Sequence, residues 1–371
     1  MPGDTYPKFT VAAVQAASVW LDREATIEKV EVLTSQAARN GATLVVFSES
    51  YIPAFPVWNL THRPLDQPAF FRRLYDHALL IPSAQFRKLA ATAQSSGVYL
   101  SVGITEKTET SMGTLWNSNL LFSPEGRLVN WRRKLVATWA EKLTWAPGDA
   151  WGLKVVPTPL GRIGVLICGE NTNTLARFSL LAQGEQVHIA TYPSLWPFNR
   201  PRSSQPYDLT QAIVTRAAAH SFEGKLFTVV ASGVLDEVGR EDLSRDNEEI
   251  RAVLETAPAP TSLVVGPSGT PVGEPLVGGE GIVYAEVDIS QNIKHRLAHD
   301  ITGGYQRFDL VHLRVDQTPY TYAGVEFANR SRYDPLALSK EPEWPEAIGE
   351  VEAFDPLGIA EMAAATRASH G

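Results

Sequence analysis

Residues 162–171 read Arg162-Ile163-Gly164-Val165-Leu166-Ile167-Cys168-Gly169-Glu170-Asn171. This stretch is an apolar strand that ends at Cys168, the chain's single cysteine, and runs into a polar turn that starts a helix. Enzymes often display nucleophiles at such turns, because free N–H groups and the positive end of the helix dipole favour a thiolate. Free cysteine is also among the most buried residue types, so simple packing is the alternative role for Cys168.

Strands and helices alternate outward from this stretch in both directions. Before it, apolar runs predict strands at residues 9–17, 43–47, 98–105 and 118–122, and helical spacing predicts helices at 26–39 and 83–94. After it, we expect helices at 175–183 and 207–223 and strands at 187–191, 226–231, 261–265 and 282–287. This order predicts an α/β layered fold with mixed sheets.

Two segments fall outside the alternating pattern. Residues 236–256 are strongly charged and predict a surface insertion. The chain from residue 331 onward is rich in Pro, Glu and Ala, which predicts an extended tail. We therefore expect one domain over residues 1–330 and a C-terminal tail over 331–371, lying at a subunit interface or partly flexible.

Charge and hydropathy exclude several classes of partner. The net charge is −8, from 33 Lys and Arg against 41 Asp and Glu, and this balance argues against a nucleic-acid or membrane-surface role. We find no apolar run long enough to span a membrane and no apolar signal-peptide segment at the N-terminus. Together with the lone cysteine, these features predict a cytoplasmic protein.

Three segments each end in a residue with complementary chemistry: Glu49, Lys134 and Cys168. A carboxylate can take a thiol proton, the thiolate can attack an electrophilic carbon, and an ammonium can stabilise the developing anion. Taken singly, Glu49 could be a buried salt-bridge partner and Lys134 part of a solvated basic edge. A carboxylate directly after an apolar strand is costly without a function, which favours the catalytic interpretation of Glu49.

With these residues the sequence resembles the nitrilase superfamily of carbon–nitrogen hydrolases, and more narrowly its true nitrilase branch. The resemblance covers about residues 8–315, and three motifs carry it in the family's order. The motifs are Val46-Phe47-Ser48-Glu49-Ser50-Tyr51-Ile52-Pro53-Ala54-Phe55-Pro56, Trp131-Arg132-Arg133-Lys134-Leu135-Val136-Ala137-Thr138, and Thr158-Pro159-Leu160-Gly161 followed by residues 162–171. The resemblance implies a four-layer α-β-β-α sandwich with two mixed sheets.

The resemblance also implies the reaction and the residues that perform it. A nitrilase hydrolyses an organic nitrile to the carboxylic acid and ammonia through a thioimidate and a thioester on the cysteine, and some amide by-product is expected. Glu49 would be the base, Lys134 the cationic stabiliser and Cys168 the nucleophile. Glu141 matches a fourth catalytic position, a glutamate shortly after the lysine. The reaction requires no metal and no organic cofactor.

Four residues are candidates for substrate binding: Gly169, Trp139, Tyr192 and Trp196. Gly169 stands where nitrilases usually carry tryptophan, and its N–H group can donate a hydrogen bond to an oxyanion. Trp139 and Trp196 lie just after a motif or a strand end, although most aromatic side chains simply fill cores.

Several other polar residues carry weaker predictions. We expect Glu170 and Asn171 to orient the cysteine loop, and we expect Asn117 to be at most a supporting hydrogen-bond partner. The eight histidines suggest no metal set: His295 and His299 are four residues apart but lack the glutamate of a metalloprotease motif, so a surface helix is expected there.

Alternative functions remain open from sequence. The first is an amidase or carbamoylase of the same superfamily, which would use the same residues on an amide. The second is a non-catalytic assembly protein built on this fold. For the nitrilase interpretation we expect a small-molecule nitrile as partner, and self-association into a homo-oligomer, a dimer or a larger spiral. Candidate interface segments are residues 56–75, residues 236–256 and the tail.

Overall fold

Two β-sheets form the centre of the structure, a computed structural model that describes residues 6–198, 207–245 and 247–319. In these ranges the strands are β1 (Lys8–Gln15), β2 (Ala42–Val46), β3 (Leu79–Leu80), β4 (Tyr99–Lys107), β5 (Leu115–Phe122), β6 (Leu128–Arg133), β7 (Val156–Thr158), β8 (Gly161–Ile167), β9 (Val187–Tyr192), β10 (Phe227–Ser232), β11 (Thr261–Val265), β12 (Leu276–Val277) and β13 (Gly281–Asp288).

Helices flank these strands along the chain. In the described ranges the α-helices are α1 (Arg23–Arg39), α2 (Trp58–Thr61), α3 (Pro68–His77), α4 (Ala84–Ser96), α5 (Thr174–Ala182), α6 (Leu209–Gly224), α7 (Glu237–Ser244), α8 (Glu248–Glu255) and α9 (Gln291–Arg296). Short 3-10 helices occupy Pro64–Asp66, Trp139–Leu143 and Cys168–Thr172.

Both sheets contain parallel and antiparallel strands. The first sheet has the order β13-β1-β2-β4-β5-β6, with β3 beside β4, and its parallel centre is β1-β2-β4. The second has the order β12-β11-β10-β9-β8-β7, with a parallel centre of β8-β9-β10. The predicted pair of mixed sheets is confirmed.

Apolar side chains join the sheets and helices into four layers. Val11 and Leu44 of the first sheet pack in one cluster with Val165 and Ile189 of the second, so the two sheets lie face to face. Helices α1 and α4 cover the outer face of the first sheet. Helices α5 and α6 pack against the outer face of the second. The order is helix, sheet, sheet, helix, as the family resemblance implied.

Helix α4 shows how closely local signals set the boundaries of an element. Its N-cap Ser83 accepts a hydrogen bond from the Phe86 N–H group at 3.1 Å. Its C-cap Gly97 is left-handed with φ +65°, a conformation that glycine adopts without a Cβ penalty. The helix predicted over residues 83–94 is therefore confirmed, and it continues to Ser96.

The charged segment at residues 236–256, predicted as a surface insertion, has a buried apolar face that the prediction did not include. It folds into α7 and α8, and Leu243, Ile250 and Leu254 are buried against the same apolar cluster as α6. The prediction of a surface insertion missed this buried face, because the many charges masked the helical spacing of three apolar residues. The surface helix expected at His295 and His299 is α9, which includes His295 but ends before His299.

Two further predictions concern membrane-spanning segments and the C-terminal tail. No helix in the described ranges is long and apolar enough to cross a membrane. The predicted tail over residues 331–371 lies outside the described residues, and the division of the chain at residue 330 stays a prediction.

Candidate active site

Glu49 lies in the turn that follows β2 and is fully buried. The turn passes directly over Gly103 of β4, where an added Cβ atom would lie 2.2 Å from the Ser48 carbonyl oxygen. The Glu49 N–H group donates to the Tyr192 carbonyl oxygen at 3.1 Å, which ties the end of the first sheet to the end of the second. Only glycine at position 103 allows this close approach.

Lys134 follows β6 and reaches two carboxylates at once. Its Nζ lies 2.7 Å from Glu49 Oε1 and 2.6 Å from Glu141 Oε2, and all three side chains are buried. Asn117 of the neighbouring strand β5 donates from Nδ2 to Glu49 Oε1 at 2.7 Å. Its carbonyl oxygen also accepts the Lys134 N–H group at 2.7 Å. The lysine ammonium therefore bridges two buried carboxylates.

Glu141 is held by the start of its own 3-10 helix, Trp139–Leu143. Within the sequence Thr138-Trp139-Ala140-Glu141, Glu141 Oε2 accepts the Thr138 N–H group at 2.8 Å, as the carboxylate of a capping box does. The same carboxylate oxygen contacts the Lys134 ammonium. One oxygen thus caps the helix and pairs the lysine.

Cys168 is the first residue of the 3-10 helix that follows β8, and its backbone is left-handed with φ +51°. For a residue with a side chain this conformation costs on the order of 1 kcal/mol or more, and such strain is often found at reactive positions. The cysteine Sγ and one oxygen each of Glu49 and Glu141 lie within 4.8 Å of one another. We call Glu49, Lys134, Glu141 and Cys168 the reactive cluster.

Glu170 and Asn171 hold the turn that carries the cysteine. Glu170 accepts the Leu135 N–H group at 2.7 Å and the Ile167 N–H group at 2.9 Å, so it joins the lysine and cysteine segments. Buried Arg132 pairs with Glu170 at 2.9 Å. Asn171 donates from Nδ2 to the Cys168 carbonyl oxygen at 3.0 Å. These contacts agree with the orienting role predicted for both residues.

Burial and charge set the protonation of the reactive cluster. Burial raises the pKa of Glu49 to about 7, against the Lys134 ammonium and with help from the Glu141 carboxylate. Burial lowers the pKa of Lys134, but Glu141 and Glu49 outweigh it and hold that pKa well above the ordinary value. Burial and then the Glu49 carboxylate raise the pKa of the Cys168 thiol. At neutral pH the lysine is charged, the cysteine is a thiol, and Glu49 is near its midpoint.

The free oxygens of the two carboxylates define where chemistry can occur. Among the described residues, Glu49 Oε2 and Glu141 Oε1 are buried without a hydrogen-bond partner, while their other oxygens bind Lys134. A divalent cation bound by Glu49, Glu141 and Cys168 would have to displace the lysine ammonium from between the carboxylates. The arrangement therefore favours proton transfer to and from the thiol.

The four predicted substrate-binding residues lie in different surroundings. Tyr192 and Trp196 are buried in the same apolar cluster as Cys168. Trp139 is 62% exposed and contacts the Phe198 ring edge-on, with 5.4 Å between ring centroids. Gly169 faces Thr138, whose Oγ1 would lie 2.9 Å from an added Cβ atom. Glycine at this position thus brings the cysteine turn close to the cap of the Glu141 helix.

Sequence reasoning undervalued some neighbours of the reactive cluster and missed others. Asn117, expected to be at most a supporting residue, hydrogen-bonds the Glu49 carboxylate directly. The Trp145 ring lies with its centroid 6.0 Å from Lys134 Nζ, close enough for a cation–π contact. The buried pair Glu185 and His188, described below, was not singled out. Its only signal in sequence is a histidine inside an apolar strand.

Comparison with known proteins places this geometry in a family. Residues 10–294, from β1 to α9, match the profile of the family described as "Carbon-nitrogen hydrolase". The chain belongs to the carbon–nitrogen hydrolase family. The matched range spans the positions of Glu49, Lys134, Glu141 and Cys168.

Relatives named as nitrilases agree with that membership, and a solved structure shares the fold. The chain is 33% identical to a nitrilase from Penicillium rubens over 316 residues, or 83% of this chain and 93% of the relative. It is 33% identical to a nitrilase from Bacillus sp. over 335 residues, or 89% of this chain and 96% of the relative. A carbon–nitrogen hydrolase structure from Helicobacter pylori superposes with a TM-score of 0.63 at 21% identity, covering 82% of this chain and 97% of that one.

Proposed function

We propose that this carbon–nitrogen hydrolase is a nitrilase, which converts an organic nitrile and two water molecules to a carboxylate and ammonium. The observation that carries the proposal is the buried cluster in which Lys134 bridges Glu49 and Glu141 while Cys168 lies within 4.8 Å of both carboxylates. The nitrilase names of relatives that match over most of their length support the nitrile as substrate.

The first half of the reaction forms a thioimidate. Glu49 Oε2, buried and without a partner among the described residues, accepts the Cys168 proton as Sγ attacks the nitrile carbon. One carbon–nitrogen π bond breaks, and the nitrogen takes a proton from the Glu49 or Glu141 carboxyl group. A pKa near 7 suits Glu49 to both accepting and returning a proton at neutral pH.

The second half releases ammonia and then the acid. Water adds to the thioimidate, and the tetrahedral intermediate is stabilised by the Lys134 ammonium and the Gly169 N–H group. The carbon–nitrogen bond breaks, the nitrogen leaves protonated, and a thioester remains. A second water, deprotonated by Glu49, cleaves the thioester and restores the thiol. If the carbon–sulfur bond of the tetrahedral intermediate breaks first, an amide leaves instead.

A nitrile panel scored for ammonia, acid and amide tests the proposal. We expect the wild-type chain to turn over at least one nitrile faster than the matching amide, and Cys168→Ala to abolish turnover. Faster hydrolysis of the amide would assign the chain to the amidases or carbamoylases. Failure of the folded protein's Cys168 to react with any small electrophile would favour a non-catalytic assembly role.

We also propose self-association and a cytoplasmic location. The predicted interface segments around residues 56–75 and 236–256 face each other across an open cleft of about 1170 Å³, lined by Leu60, Phe70 and Ile250 among others. Arg73 pairs with Asp242 at 2.6 Å across it. The third predicted segment, the tail, lies outside the described residues. A stable monomer in light scattering would contradict self-association, and fractionation of cells would test the location.

A further inference from the structure

A second buried polar group lies behind the cysteine turn. Glu185 precedes β9, His188 is in β9, and His220 is in α6, and each is at most 1% exposed. Glu185 Oε1 lies 2.7 Å from His188 Nδ1, and Glu185 Oε2 lies 2.8 Å from His220 Nε2. The reaction proposed above uses none of these three side chains.

This group connects directly to the nucleophile's backbone. His188 Nε2 lies 2.9 Å from Asn171 Oδ1, and Asn171 Nδ2 donates to the Cys168 carbonyl oxygen at 3.0 Å. The same Nδ2 lies 3.4 Å from the Leu166 carbonyl oxygen. Hydrogen bonds therefore run from Glu185 through His188 and Asn171 to the residue whose backbone is left-handed.

The hydrogen-bond partners fix the protonation of His188. The Asn171 amide nitrogen faces two carbonyl oxygens, so the amide oxygen faces His188 and can only accept, which makes Nε2 a donor. The Glu185 carboxylate also only accepts, which makes Nδ1 a donor. With a proton on each ring nitrogen, His188 is an imidazolium.

The surrounding charges are consistent with this assignment. Although burial raises the pKa of Glu185, His188 and His220 outweigh it and lower that pKa to about 2, so the carboxylate is ionised. Burial, then His188, lowers the pKa of His220 to about 4, so this ring is neutral. Arg177 of α5 acts on His220 in the same direction, and Arg296 of α9 donates to the Glu185 carbonyl oxygen at 3.0 Å. Glu185 and His188 thus form a buried, neutralised ion pair.

Hydrogen bonding explains these contacts better than metal ligation. A zinc ion would need an unprotonated nitrogen from each ring at about 2.0 Å. The structure instead pairs one nitrogen of each ring with its own oxygen of the Glu185 carboxylate at hydrogen-bond length.

We propose that Glu185 and His188 are positioning residues: the His188 imidazolium fixes the Asn171 amide, which clamps the Cys168 carbonyl and holds the nucleophile in its left-handed conformation. The part of the test that measures nitrile turnover rests on the proposed nitrilase function. The clamp matters because a displacement of about 1 Å at a nucleophile can cost on the order of a hundredfold in rate.

Two variants of His188 separate positioning from packing. His188→Gln places an amide nitrogen near the Nε2 position and keeps a donor for Asn171, whereas His188→Asn keeps a donor near Nδ1 for Glu185 only. His220→Gln is the matched control, because His220 is equally buried on the same carboxylate but has no contact with Asn171 in the described structure. Each folded variant is assayed for nitrile turnover, for alkylation of Cys168 by iodoacetamide, and for melting temperature.

We expect His188→Asn to lose on the order of a hundredfold in kcat and to alkylate more slowly, with KM little changed. His188→Gln should lose much less, and His220→Gln should lower the melting temperature with little effect on kcat. Equal kcat losses in the two His188 variants, or a wild-type rate in His188→Asn, would overturn the proposal. Alkylation needs no nitrile, so it tests positioning even if the substrate class is wrong.

A measurement on the wild-type protein covers the case in which a variant does not fold. Nitrogen-15 NMR of histidine-labelled protein reports whether each ring nitrogen carries a proton. At the neutral pH of the assays, the two hydrogen bonds that His188 donates to Glu185 and Asn171 should appear as one ring with both nitrogens protonated, absent from the spectrum of His188→Gln. A wild-type spectrum in which every ring has an unprotonated nitrogen would overturn the proposal.

Discussion

At the scale of single residues, the reactive cluster depends on a carboxylate that is ready to change charge near neutral pH. Burial raises the pKa of Glu49 to about 7, and only the ionised form can accept the Cys168 proton. We therefore expect kcat/KM to fall as pH drops below about 7, with an acid limb that belongs to Glu49 and its coupled neighbours. A pH profile of nitrile hydrolysis checks this, and a rate that is flat from pH 5 to about 8 would contradict it.

The contact between Gly169 and Thr138 gives a second prediction at this scale. An added Cβ at position 169 would push against Thr138 Oγ1, and the Thr138 N–H group donates to the Glu141 carboxylate. We expect Gly169→Ala to reduce turnover severalfold and to destabilise the fold by about 1 kcal/mol, the low end of the cost of overpacking. In a Thr138→Ala background the same change should cost less. A double-mutant cycle measures the coupling, and additive losses would show that the two residues act independently.

The local sequence accounts for the reactive cluster unevenly. Glu49 and Cys168 were predictable because each follows an apolar strand in a recognisable motif, whereas Lys134 and Glu141 were singled out only by the family resemblance. The role of His188 was not predictable, since a histidine in an apolar strand has the same sequence pattern whether it only packs or also positions another residue. Its partner His220 comes from α6, and only the fold brings the two rings together.

At the scale of elements, the crossing of the Glu49 turn over β4 places a tight steric constraint on the site. Gly103→Ala would force a Cβ atom against backbone atoms of Ser48, Ser50 and Glu49, all of them within 3.0 Å. We expect a loss of about 1–3 kcal/mol in the free energy of unfolding, as for other overpacked sites, and a large loss of turnover. Denaturant titration and nitrile assay measure the two effects.

The chain provides a matched control for that change. Gly113 has no atom within 4 Å of an added Cβ and does not adopt a positive φ. Gly113→Ala should therefore leave the free energy of unfolding within about 0.5 kcal/mol of wild type and leave turnover unchanged. Equal effects of the two substitutions would show that the crossing at Gly103 is not the constraint.

Sequence patterns predicted elements that are bounded by local signals better than elements whose burial depends on distant contacts. Helix α4 was placed by a serine cap and a glycine stop, both local signals. Helices α7 and α8 were missed because charge dominates their composition and three apolar residues carry their packing. Strand β6 was given no bounds, since its alternating polar residues Asn130 and Arg132 are buried by contacts from other parts of the chain.

At the scale of the whole molecule, the buried Glu185–His220 contact predicts how the fold responds to acid. His220 has a pKa of about 4 in the folded protein against an ordinary 6.5, so the unfolded chain binds its proton more readily. The stability from neutral His220 is therefore complete above about pH 6.5 and is lost as pH falls towards 4. Replacing His220 with Gln should flatten the decline in the free energy of unfolding across this window.

The test compares wild type with His220→Gln through the difference between their free energies of unfolding at each pH. Glu49 titrates in the opposite sense, since its raised pKa stabilises the fold at low pH and that stability is lost as pH rises towards 7. Subtracting the unfolding free energies of wild type and His220→Gln removes the Glu49 contribution. A difference that does not change between pH 6.5 and 4 would contradict the burial of a neutral His220.

The two sheets divide the reactive cluster between them. Glu49 and Lys134 leave strands of the first sheet, whereas Cys168 leaves a strand of the second, and the Glu49–Tyr192 backbone hydrogen bond joins the two ends. A chain in which each sheet has formed but the two have not yet closed holds an ordinary thiol with no base beside it. Base-assisted reactivity of Cys168 thus requires the two sheets to pack together, because only then does the Glu49 carboxylate lie beside the thiol.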